Sequence, residues 1–139
     1  MKRQHRWRLC VRGHFAAAHA LRHYQGKCEQ MHGHNFAVEL SMEGHALSPE
    51  TGIMLDFHIL KTVLDDILAE LDHTCLNERA PFDKINPSSE NLSRYIWEQA
   101  AAWLARNPDL QASGGIALAS VTVAEGDRQS ATYQCWTED

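Results

Sequence analysis

The chain contains no apolar run near the roughly 20 residues needed to span a bilayer, and no apolar segment follows the basic residues at its start. Neither a membrane-spanning helix nor a signal peptide is expected, and a cytoplasmic address is the default. Its four cysteines, Cys10, Cys28, Cys75 and Cys135, form no CxxC pair. A disulfide framework is not expected, and each thiol is read singly. A basic excess is lacking too: the formal net charge of −5 argues against a nucleic-acid partner. Lys2, Arg3, Arg6, Arg8 and Arg12 are spread along an apparent strand and read as a solvated face. There is no internal repeat or low-complexity tract. At 139 residues, with 44% apolar and 22% charged, the chain has the balance of one soluble globular domain.

Histidine is abundant, and its placement carries the chemistry. From His5 to Ala18, Trp7, Leu9, Val11 and Gly13 alternate with Arg6, Arg8, Cys10 and Arg12, the period of a half-buried strand. A second strand runs from His34 to Gly44, with Phe36, Val38, Leu40 and Met42 on one face. Leu21 to Met31 between them reads as a loop. Asp56 is a candidate cap for a helix from Phe57 to Leu71, whose apolar stripe is Leu60, Val63, Leu64, Ile67, Leu68 and Leu71. Asp72 to Asn86 reads as irregular. Pro87 with Ser88 or Ser89 opens a second helix to about Arg106. Asn107, Pro108, Ser113, Gly114 and Gly115 read as its stop. Two strands, Ile116 to Glu125 and Ser130 to Trp136, close the chain around a hairpin turn at Gly126 to Gln129. This order predicts an α+β domain, ββααββ, with a four-stranded antiparallel sheet and two helices on one face.

In His32-Gly33-His34 the two imidazoles point to one side of an extended chain, and Gly33 leaves their approach clear. If the first two strands pair as a hairpin, His19 comes beside His34. Three imidazoles suit zinc and leave a coordination position open, the catalytic rather than the structural pattern. The same imidazoles suit iron, copper or nickel. A lone His-x-His also reads as two surface histidines, and His19 as a satisfied interior one.

Phe15-Ala-Ala-Ala-His19 followed by Cys28-Glu-Gln-Met-His32-Gly-His34-Asn35 resembles the 6-pyruvoyl-tetrahydropterin synthase family. The likeness continues in order through Gly52-Ile-Met-Leu-Asp56-Phe57, Leu71-Asp72-His73, Leu76-Asn77, Asn86-Pro87-Ser88-Ser89-Glu90-Asn91 and Val123-Ala-Glu125. It implies the tunnelling fold, with residues 1–139 as a single pterin-binding domain. It also implies homo-oligomers, typically hexamers built as a dimer of trimers, with active sites at subunit interfaces. It implies zinc on His19, His32 and His34, a catalytic Cys28 with Asp72 and His73 as proton-transfer partners, and Glu125 as the carboxylate that binds the pterin. Taken alone, Cys28 also reads as an inert thiol, Asp72-His73 as a helix terminus, and Glu125 as an ordinary strand-end charge.

The four-residue step from Cys28 to His32 is similar to the bacterial 6-carboxy-tetrahydropterin synthases of the queuosine pathway. That likeness implies a lyase acting on 7,8-dihydroneopterin triphosphate and yielding 6-carboxy-5,6,7,8-tetrahydropterin, acetaldehyde and triphosphate. Glu29 is similar to a glutamate that some relatives use at that place, and this likeness implies a second product, 6-hydroxymethyl-dihydropterin for folate synthesis. The 6-pyruvoyl product and a non-catalytic, zinc-stabilised pterin-binding module are further alternatives. Arg22, His23 and Lys27 are near enough in sequence to be triphosphate contacts.

Overall fold

The computed structural model describes residues 1–26 and 29–138, so Lys27 and the expected base Cys28 lie outside the described residues. Strand β1 spans Trp7–His19 and β2 spans His32–Gly44. Helix α1 (Phe57–Ala69) follows, then a two-residue strand β3 (Thr74–Cys75) and a 3-10 turn at Leu76–Glu78. Next come α2 (Ser89–Ala105), α3 (Pro108–Gly114), β4 (Ala117–Glu125) and β5 (Ser130–Tyr133). The sheet order is β3-β1-β2-β4-β5.

The expected four antiparallel strands are present, and a fifth joins them. β3 runs parallel to β1 through Ala17 and Ala18, so the sheet is mixed. Two residues held by one non-local pairing leave no periodicity to read. α3 replaces the expected stop at residues 107–115. Pro108 sits at its start, where the missing N–H costs nothing, and Gly115 follows in the left-handed conformation with φ 60°. The last strand ends at Tyr133 rather than Trp136, whose side chain is exposed.

The β1–β2 hairpin is in continuous register from Trp7↔Gly44 to His19↔His32. Val11, Phe15, Ala17 and His19 of β1 and Phe36, Val38, Leu40 and Met42 of β2 face the helices and are buried. α1 packs on β1, and α2 packs on β4 and β5. α1 comes close to β1 at Gly13: a Cβ there would lie 2.8 Å from the end of the Leu68 side chain. Asp56 caps α1 by accepting from the His58 N–H, and Ser88 caps α2 by accepting from the Asn91 N–H.

Phe36 joins core to site. It is fully buried, stacks on Phe15 with centroids 4.7 Å apart, and meets the rings of His19 and His34 edge-on. Phe36→Ala is expected to lose about 3–5 kcal/mol of stability, measured by denaturant unfolding of the metal-free protein. A loss under about 1 kcal/mol would show that this floor is not packed as described.

Candidate metal and pterin site

β1 ends and β2 begins at the same edge of the hydrophobic core. His19 and His32 are direct cross-strand partners, and His34 lies opposite Ala17 on the same face. Their ring centroids are 4.6, 5.3 and 4.8 Å apart for the pairs 19–32, 19–34 and 32–34. One ring nitrogen from each lies within 4.8 Å of the others, so the three can hold a metal ion.

The hydrogen bonds decide which nitrogens are free. His19 Nδ1 lies 2.7 Å from the Pro87 carbonyl, and His32 Nδ1 lies 2.6 Å from the Gln30 carbonyl. A carbonyl only accepts, so both Nδ1 atoms carry the proton and both Nε2 atoms present a lone pair. His19 is 1% exposed, and its Nε2 is buried with no hydrogen-bond partner. An orphaned buried lone pair is costly in a chain that has no use for it; a metal ion satisfies it. Burial also pushes the His19 imidazole below its ordinary pKa, against the pull of the Pro87 carbonyl and Glu125. The neutral form, the one that binds metal, is therefore favoured.

Glu125, at the end of β4, belongs to the same cluster. Its carboxylate lies 3.8 Å from His19 Nε2 and 3.6 Å from His34 Nε2. It accepts a hydrogen bond from Ser89 Oγ at 3.0 Å and one from Gln129 Nε2 at 3.3 Å. Ser89, one residue inside α2, was not among the expected site residues. The Ser88-Ser89 pair reads in sequence as a helix start, and only the fold shows that the second hydroxyl points to β4.

Asp72 and His73 sit elsewhere. Asp72 Oδ1 accepts from the Ala16 N–H at 2.8 Å, and its Oδ2 lies 2.9 Å from His73 Nδ1. The His73 N–H donates to the Ala16 carbonyl at 2.6 Å, which holds His73 at a left-handed φ of 58°. The imidazole is largely exposed and borders a shallow depression that runs over residues 16–18 of β1 and 33–35 of β2, His34 among them. The histidine cluster and Glu125 share one face of the sheet by register, while Asp72 and His73 are tied to the edge of β1 at Ala16.

The neighbouring candidates divide as well. Glu29 is exposed, and its N–H donates to the Gly26 carbonyl. His23 is exposed. Arg22 is not a free cation for phosphate: its guanidinium donates to the carbonyls of Phe82 at 2.8 Å, Ile85 at 3.2 Å and Asn77 at 3.4 Å. The carbonyls of an irregular segment need donors, and Arg22 supplies them.

The sequence and fold are similar to those of known proteins. Residues 8–135 match the sequence profile of the 6-pyruvoyl tetrahydropterin synthase family. The chain is 34% identical over 131 residues to the 6-carboxy-5,6,7,8-tetrahydropterin synthase of Synechocystis sp., covering 91% of this chain and 92% of that one. It is 37% identical over 92 residues to the dihydroneopterin monophosphate aldolase of Pyrococcus furiosus, covering 66% of this chain and 73% of that one. The structure of Caenorhabditis elegans 6-pyruvoyl tetrahydropterin synthase superposes with a TM-score of 0.74 at 25% identity, over 98% of this chain and all of that one.

Two outcomes are expected. The metal-free protein should take up one divalent ion per chain in a calorimetric titration. His34→Ala should weaken that uptake by more than the roughly 10–100-fold that follows loss of a ligand's hydrogen-bond partner. The second concerns Asp72, whose carboxyl is held below its usual range, first by the Ala16 N–H and then by His73. Its stabilising contribution is present above the ordinary aspartate value of about 3.9 and is lost as pH falls through the lowered one. Asp72→Asn should be less stable than wild type at neutral pH, with the gap closing in acid. A gap in thermal midpoint that stays constant into strong acid would contradict this.

Proposed function

The chain belongs to the 6-pyruvoyl tetrahydropterin synthase family, and we propose that it converts 7,8-dihydroneopterin triphosphate and water to 6-carboxy-5,6,7,8-tetrahydropterin, acetaldehyde and triphosphate. This is the reaction of the queuosine pathway, carried out by a zinc-dependent carbon–carbon lyase in the cytoplasm. No helix among the described residues is long and apolar enough to cross a membrane. The observation that carries the metal assignment is the buried, unpartnered Nε2 of His19 facing His32 and His34. Likeness to the Synechocystis enzyme along nearly the whole of both chains supports the choice of product.

In this reading zinc is held by His19, His32 and His34 and, when bound, supplies Lewis acidity for charge developing on the side-chain oxygens of the substrate. Glu125 accepts two hydrogen bonds from the guanidine-like edge of the pterin, a bidentate match. Ser89 and Gln129 hold its carboxylate in place for that contact. Cys28, four residues before His32, is the base that takes the carbon-bound proton as a thiolate. His73, oriented by Asp72, relays protons.

His73 is tied to the edge of β1 rather than to the histidine cluster, and in the interfacial active site that the family resemblance implies, a substrate at the metal would meet the His73 of another subunit. The strand edges favour such an assembly. β1 is covered on its outer edge by β3 only at Ala17 and Ala18, and β5 ends the sheet. Open edges of this kind are pairing surfaces, and a homohexamer of two stacked trimers is the proposed form.

A second reading has its own support. Glu29 directly follows Cys28 in the sequence and is itself exposed, and the Pyrococcus relative is a dihydroneopterin monophosphate aldolase. Cleavage to 6-hydroxymethyl-dihydropterin is the alternative product, and a pterin-binding module without turnover is the non-catalytic one.

A product assay separates these readings. Zinc-loaded protein given dihydroneopterin triphosphate should release acetaldehyde and triphosphate in equal amounts, and Cys28→Ala should abolish acetaldehyde while zinc content is unchanged. Release of 6-hydroxymethyl-dihydropterin would move the protein to the aldolase reading. A 6-pyruvoyl product without acetaldehyde, or pterin binding without turnover, would also contradict the proposal.

A further inference from the structure

We infer that Asn77 and Asn86 are positioning residues for the metal site, acting together as a carboxamide clamp that fixes the backbone and ring of His19. The inference rests on the metal reading above and extends it to residues outside the ligand set.

Beyond His19 the chain leaves β1 and has no strand partner, yet residues 20 and 22 are bonded as if it had one. Asn77 Oδ1 accepts from the Ala20 N–H at 2.8 Å, and Asn77 Nδ2 donates to the Ala20 carbonyl at 2.8 Å. Asn86 repeats the pattern two residues on: its Oδ1 accepts from the Arg22 N–H at 2.7 Å and its Nδ2 donates to the Arg22 carbonyl at 2.9 Å. A carboxamide offers one acceptor and two donors side by side, so it can stand in for a peptide unit of a neighbouring strand. Residues two apart in an extended chain present the same edge, which is why two asparagines suffice. Arg22 closes the clamp from the other side through its carbonyl contacts to the segment that carries both asparagines.

The clamp reaches the metal ligand by two routes. Ala20, held by Asn77, directly follows His19 in the chain. Asn86 directly precedes Pro87, whose carbonyl accepts from His19 Nδ1. Proline has no N–H with which to anchor itself, so its carbonyl is placed by its neighbours: by Asn86, whose own carbonyl accepts from Asn91 Nδ2 at 2.9 Å, and by the Ser88 cap. That carbonyl sets both the tautomer and the direction of His19 Nε2. A partner of this kind on a ligating histidine orients the ring and raises its basicity.

The test is zinc affinity, measured by competition with a chromophoric chelator, together with the visible spectrum of the cobalt(II)-substituted protein. Asn77→Ala and Asn86→Ala should each weaken zinc binding by about 10–100-fold and alter the cobalt spectrum, with Asn91→Ala moving both in the same direction by less. Leu104→Ala is the control. It opens a cavity in the core of α2 and lowers the thermal midpoint, but should leave zinc affinity and the cobalt spectrum unchanged. Wild-type affinity in the asparagine variants overturns the inference alone. An equal loss of affinity in Leu104→Ala also overturns it, by making the effect one of general stability. A wild-type chain that binds no zinc overturns both the inference and the metal reading beneath it.

Discussion

The structure depends on the register of one strand pair. β1 and β2 are matched residue for residue from Trp7↔Gly44 to His19↔His32. Because side chains alternate with period two, a slip of one residue between them would turn one strand's apolar row to solvent. The same slip would separate His19 from His32 and His34. The core thus specifies the site: Phe36, Val38, Leu40 and Met42 hold β2 against the helices, and His32 and His34 continue that face past the end of the apolar row.

This coupling explains why polar groups sit at the rim of a dry core. His19 is as buried as the leucines around it, and its ring is tolerated because one nitrogen donates to the Pro87 carbonyl. The other nitrogen is left unpartnered. Glu125 sits near it without a hydrogen bond and is itself tied to Ser89 and Gln129. Asp72 fixes His73 to the edge of β1, apart from this cluster. Under the proposed assembly the His73 of one subunit completes the metal site of another, and open strand edges are surfaces on which such chains can pair.

Much of this was legible in the residues. Alternation found both long strands, helical spacing found α1 and α2, Asp56 was visible as a cap, and Ser88 was one of two candidates to open α2. His19, His32 and His34 were brought together by hairpin logic alone. What escaped depends on contacts distant in sequence. β3 is two residues long and exists because β1 offers it an edge. Arg22 reads as a cation near an anion site until its guanidinium is seen among three carbonyls. Asn77 and Asn86 read as loop residues, since nothing local shows that they imitate a strand. α3 was hidden because Pro108 and Gly115 punctuate a break and bound a short helix equally well.

The central claim is that three imidazole nitrogens, and no sulfur, hold a metal ion at this edge of the sheet. X-ray absorption at the zinc edge on protein loaded with one zinc per chain tests it most directly. The account predicts a first shell of nitrogen and oxygen only, with zinc–nitrogen distances of about 2.0–2.1 Å and the multiple-scattering signature of about three imidazoles. A sulfur scatterer near about 2.3 Å would instead place a cysteine in the shell and contradict the account.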